Sequence, residues 1–189
     1  MHWEALVFNE RMAIGLDVHA RSVRAAALDT VTGELCEARL AFDVGQVVAW
    51  LVMMEHGHGT SAVAYEAGPT GFGLARAIQA AGLRCVVAAP SKILRPSGDR
   101  IKTDARDAVL LARLLRNDDL VAVRVPTEAE ESARDLVRAF DDARIELMAA
   151  RHRLSKLMLR HGHVYDPGKD AWTGAHDAWL RQVRRDQLP

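Results

Sequence analysis

This sequence of 189 residues lacks most of the features that sort a protein quickly into a class. Cysteine is scarce: Cys36 and Cys85 stand far apart, outside any C-x-x-C spacing, and no secretory leader opens MHWEALVFNER. A disulfide framework is thereby excluded, and reduced thiols in a cytoplasmic protein are expected. No apolar run approaches the ~18 residues that a membrane span requires, so no membrane partner is expected. Lys and Arg (25) balance Asp and Glu (25), which removes any global attraction to a polyanion. No internal repeat is visible. Zinc-finger spacing is also missing, because the HGH triplets at 56–58 and 161–163 have no Cys or His partners at the required intervals.

Apolar residues make up 49% of the chain and charged residues 26%, the balance of a globular protein rather than a disordered one. The length suffices for one α/β domain with material left over for a helical extension. Charge is uneven locally: 91–116 and 151–160 are basic and 127–146 is acidic, so a polyanion would be met by patches.

Alternation and turn residues predict strands at 12–19, 22–30 and 34–42, joined by short turns at Ala20-Arg21 and Thr32-Gly33. A helix follows at 44–57, a fourth strand at 60–68, a helix within 68–82 closed by Gly82, and a fifth strand at 83–90. SKILRPSGDRIK (91–102) has the composition of a mobile loop, and a helix begins at Thr103. Three strands followed by alternating helices and strands imply an α/β fold, a mixed five-stranded sheet covered by helices. Beyond Pro126, apolar residues recur at 129, 133, 136, 140, 143, 147, 150, 154 and 157, a heptad seam. A helix of about 35 residues would extend roughly 50 Å, which points to a coiled-coil arm rather than a helix packed on its own domain. The expected division is 1–125, 126–164 for the arm, and a short tail at 165–189.

Four acids stand out. Asp17 lies in a strand among Gly15, Leu16 and Val18, and a buried carboxylate there requires a partner or a metal. Glu66 ends SAVAYEAG, sharing a face with Ala62 and Ala64. Asp104 and Asp107, three apart at a helix start, suit helix capping and the positive end of the macrodipole when taken alone. If strands one and four are neighbours, all four converge, and four clustered carboxylates repel one another unless a cation is bound. Hard oxygen ligands without His or Cys favour Mg²⁺ or Mn²⁺. Lys92, Arg95, Arg100, Lys102 and Arg106 flank that helix start and are candidate phosphate contacts.

GLDVHARSV, YEAGPTGFGLARAI, VVAAPSKI, IKTDARDAVLLARLL and AWTGAHDAWL resemble the N-terminal DEDD domain of transposases of the insertion sequence 110 family. The resemblance implies a ribonuclease H-like, RuvC-type sheet of order 3-2-1-4-5, with Asp17, Glu66, Asp104 and Asp107 as catalytic metal ligands. It further implies a DNA transposase or recombinase guided by a structured RNA and assembled as a homo-oligomer partly through the coiled coil. The family continues into a domain with a serine nucleophile that none of Ser22, Ser61, Ser91, Ser97, Ser132 or Ser155 matches, so an N-terminal part of a transposase is expected. Two other readings fit some of the residues: a noncatalytic nucleic-acid-binding dimerisation module, and a nucleotide-binding protein of the actin and sugar-kinase type, which GLDVHARSVRAAALD also resembles. The latter lacks a second glycine-rich phosphate loop.

Overall fold

Strict alternation along the first strand decides the architecture. In the computed structural model, which describes residues 8–93, 104–166 and 169–187 (backbone only for 104, 105, 186 and 187), β1 spans Met12–Val18. Met12, Ile14 and Leu16 face one side of the sheet and Ala13, Gly15 and Asp17 the other. β2 (Ser22–Asp29) pairs antiparallel with β1, and β3 (Leu35–Ala41) pairs antiparallel with β2. β4 (Ser61–Glu66) runs parallel to β1, and β5 (Arg84–Ala88) parallel to β4, giving the order β3-β2-β1-β4-β5. This is the sheet order that the resemblance implied, with β1 and β4 adjacent.

One face is covered by α1 (Val44–His58) and α2 (Gly73–Ala80). Ile14, Leu16, Val23, Val63, Tyr65 and Val87 from the strands meet Val47, Leu51, Leu74 and Ile78 from those helices, all buried. Side chains of this size contribute about 1.5–3 kcal/mol each on burial, so this layer is the main source of stability. Asp43 caps α1 by accepting from the Gln46 amide at 2.8 Å.

The opposite face is built from small residues, Ala13, Ala26, Ala62 and Ala64 with Gly15, and is covered by α3 (Asp104–Arg116). A Cβ on Gly15 would lie 2.6 Å from the Ala112 amide nitrogen and 2.9 Å from the Leu111 Cβ, so only glycine admits the helix at this depth. The free edge of β5 is capped: the Ala89 amide donates to Val121 O at 2.9 Å and the Val123 amide to Val87 O at 2.7 Å. Pro90–Lys92 forms a 3₁₀ turn where the composition had predicted the start of a mobile loop; Pro90 at its first position supplies the fixed φ.

The long helix α4 (Glu128–Arg160) begins with a reciprocal capping box. The Glu130 amide donates to Thr127 Oγ1 at 3.2 Å and the Thr127 amide to the Glu130 carboxylate at 2.9 Å. Glu131 accepts from the Phe72 amide at 2.9 Å and lies 2.7 Å from the Arg76 guanidinium, which also donates to Pro126 O at 3.0 Å. The first turn of α4 is thus fastened to the start of α2. The chain divides into two compact units at Glu131 and Ser132. The second contains the rest of α4 and α5 (Gly174–Gln187), with Tyr165, Trp172, His176 and Trp179 in mutual ring contact.

Candidate metal and nucleic-acid site

The register that fixes the sheet also fixes its charges. Leu16 is paired with Tyr65, and one residue further along both parallel strands stand Asp17 and Glu66. Neighbouring strands lie about 4.8 Å apart, so the two acids occupy adjacent positions in one row, on the face that carries Ala13, Gly15, Ala62 and Ala64. The direction of α3 completes the arrangement. Leu115, near its C-terminal end, packs with Ala13, Ala62 and Ala64, whereas Ala108, Leu111 and Ala112 meet Gly15. The helix therefore runs opposite to β1, and its first turn, which contains Asp104 and Asp107, is directed toward the end of the sheet where Asp17 and Glu66 stand.

Asp17 is not a bare buried carboxylate. His19 Nε2 lies 2.9 Å from its Oδ2, and the Asp17 side chain keeps 19% of its accessible surface. The partner that the sequence required is in part this histidine, two residues on in the same chain, which the residue pattern had not singled out. Glu66 and Asp107 are half-buried, and the Asp104 side chain is outside the described residues. Among the described residues no group of three or more His, Cys, Asp or Glu side chains is close enough to hold a metal ion. The structure therefore brings Asp17 and Glu66 into one row and directs the first turn of α3 toward them.

The same row continues into β2 and β3. Arg24 is paired with Asp17, and Arg39 with Arg24, so two guanidinium-bearing positions extend the line of acids toward the open edge of the sheet. Sequence reasoning missed both, because an arginine in a strand gains meaning only when the register is known. Of the cations that it did single out, Lys92 and Arg106 are exposed, while Arg95, Arg100 and Lys102 lie outside the described residues.

Sheet order, helix placement and the row of acids define the class, a ribonuclease H-like α/β domain. Over residues 14–162 the sequence matches the DEDD transposase family of the insertion sequence 110 type, and the chain belongs to that family. It is 51% identical over 122 residues to "Putative transposase y4qE" of Sinorhizobium fredii, covering 65% of this chain and 31% of that protein. It is 33% identical over 175 residues to "Transposase for insertion sequence element IS1533" of Leptospira borgpetersenii, covering 92% of this chain and 51% of the relative. The chain thus spans about half or less of the length of these relatives. Among solved structures it is similar to the large terminase nuclease from thermophilic phage G20c, at 17% identity and a TM-score of 0.38, covering 59% of this chain and 57% of that one. No helix among the described residues is long and apolar enough to cross a membrane.

Proposed function

We propose that this chain supplies the metal-dependent half of a DNA transposase, in which Asp17, Glu66, Asp104 and Asp107 hold Mg²⁺ or Mn²⁺ at the end of the sheet. The observation that carries the reading is the shared row of Asp17 and Glu66 on adjacent parallel strands, with the first turn of α3 directed at it. An all-oxygen donor set suits a hard divalent ion. When bound, paired ions of this kind activate water and neutralise charge on the leaving oxygen of a phosphodiester.

The chain's own residues have separate tasks in this reading. The strand acids are held by the sheet and therefore pre-positioned, and His19 fixes the orientation of the Asp17 carboxylate. Arg24 and Arg39 along the row, with Lys92 and Arg106 and, from the residues outside the description, Arg95, Arg100 and Lys102, hold the phosphate backbone. A structured guide RNA as second nucleic-acid partner and a homo-oligomer built through α4 as a coiled coil complete the proposal, both carried by family membership.

Calorimetric titration of the chain with Mn²⁺ is the test. Substituting Asp17→Asn with Glu66→Gln, or Asp104→Asn with Asp107→Asn, should abolish specific binding while the helical and sheet signals persist. Binding unchanged in both pairs overturns the assigned site. The exposed apolar seam of α4 favours a second reading, a noncatalytic nucleic-acid-binding dimerisation module. That module would bind nucleic acid equally with and without Mg²⁺ across a salt series, whereas the metal-dependent reading requires a difference.

A further inference from the structure

The second unit contains a pocket that the metal site does not use. Leu154 and Met158 of α4, Tyr165 and Trp172 of the connection, and His176 and Trp179 of α5 line a half-open cavity of about 180 Å³. That is below the ~300–1,000 Å³ typical of small-molecule sites, and matches a single planar ring system. His176 is buried, 6% exposed, and its Nδ1 has no hydrogen-bond partner. Buried polar atoms are rarely left unpaired, and this one belongs to a residue that lines the pocket. The Tyr165, Trp172 and Trp179 rings around it are half-buried, each keeping surface for contact.

Charge narrows the class of ligand. The Arg151 guanidinium already stands 5.2 Å from the centre of the Trp172 ring. Residues 151–187 carry eight Lys and Arg against four Asp, and Asp166 and Asp177 are paired with Lys169 and Arg181. A cationic ligand in the aromatic pocket would meet this positive surround. A bare anion would leave the apolar walls without a partner, and an aliphatic side chain would leave Nδ1 unpaired. An aromatic heterocycle with a polar edge, attached to a phosphate backbone, satisfies all three.

We propose that this pocket receives an unpaired nucleobase of a single strand of DNA or RNA, stacked among Trp172, Tyr165 and Trp179, with the cations of α4 and α5 holding the flanking phosphates. The inference rests on the reading that the chain acts on nucleic acid, but not on the four acids. Its test is therefore made with the full chain in EDTA, where failure of the metal site has no effect.

Short oligothymidylate and oligouridylate, and an abasic strand of equal length, are titrated against tryptophan emission. The base-bearing strands should bind about fivefold or more tighter than the abasic one and quench emission, as stacking contributions of this size require. The two base-bearing arms separate DNA from RNA as the source. Trp172→Leu should erase the preference for bases, and Trp172→Phe should retain it. Equal affinity for intact and abasic strands overturns the proposal without any variant. So does a preference that survives Trp172→Leu, or emission that changes with protein concentration alone because a second copy fills the pocket.

Discussion

α3 and α4 both carry regular apolar stripes, and their surroundings differ completely. In α3 the stripe of Ala108, Leu111, Ala112 and Leu115 is buried against the alanine-rich face of the sheet. In α4 no residue is buried, and Leu136, Phe140 and Leu147 are 72%, 68% and 51% exposed. The same periodicity thus serves two purposes. One stripe is an internal joint that fixes where α3 directs its first turn. The other is an exposed surface of a size that isolated soluble helices do not maintain. α4 is held at its start by its capping box and the Glu131 clasp, and near its other end Leu154 and Met158 line the aromatic pocket with α5, which leaves the exposed stretch around Leu136, Phe140 and Leu147 available to a partner.

The largest expected effect comes from breaking the internal joint. Gly15→Val would place side-chain atoms where the backbone and Leu111 of α3 now lie, and overpacking against backbone has no rotamer to relieve it. We expect a loss of about 3 kcal/mol, the upper end of such costs, read as a lower urea midpoint. If the proposed site binds Mn²⁺, that binding should fall with it, because the first turn of α3 would no longer be directed at the row of acids. An unchanged midpoint would show that α3 does not dock at this depth.

Next is the exposed stripe. Leu136→Ser with Phe140→Ser should leave the urea midpoint of the sheet unit unchanged. If α4 pairs with a second copy as a coiled coil, the pair should raise the dimer dissociation constant roughly 100-fold or more, since each large apolar side chain contributes about 1.5–3 kcal/mol. Sedimentation equilibrium of wild type and variant measures this. A wild type that stays monomeric at high concentration would assign the stripe to a different partner.

The contrast also explains what could be seen in the sequence. Strands and helix positions were legible because alternation in β1 and β4 and the helical spacing of α1 to α3 are local patterns tied to burial, whereas the sheet order came only from the family resemblance. Asp17 and Glu66 were legible as strand acids for the same reason. The Asp17–His19 contact and the Asp17, Arg24, Arg39 row were not, since both depend on where a tight turn places side chains and on inter-strand register. Gly15 in the sequence is a sign of burial alone, and its role in admitting α3 depends on a tertiary neighbour. The Thr127-x-x-Glu130 box is a local pattern and places the start of the helix just after Pro126, as the structure does.

A smaller effect separates the two cysteines. Cys85 is packed against the main core, and burial pushes its thiol up to about 12, while Cys36 on the outer strand β3 is exposed. At pH 8 Cys85 holds almost no thiolate, the reactive form. A thiol reagent should label Cys36 roughly 100-fold faster or more. Comparable rates for both would show that β5 opens far more readily than a buried strand does, and would weaken the contrast between a firmly closed sheet and an exposed α4.

The smallest expected effect is at the capped start of α4. Hydrogen bonds from the Arg124 guanidinium first, and then from the Thr127 amide, hold the Glu130 carboxyl at about 2, against about 4.3 in an unfolded chain. A depressed native value means that the unfolded state binds the proton more readily. The contribution is therefore present in full above about pH 4.3 and is lost as the pH falls toward 2. The pair is solvent-exposed, so salt screens the Arg124 part of it and leaves the capping hydrogen bond. Glu130→Gln should flatten the pH dependence of amide exchange in the first turn of α4 across that window, with exchange in β1 and β4 unchanged. If exchange in α3 rises as well, then the start of α4 and the site that α3 faces open as one unit, and the separation between the two helices is less complete than their burial implies.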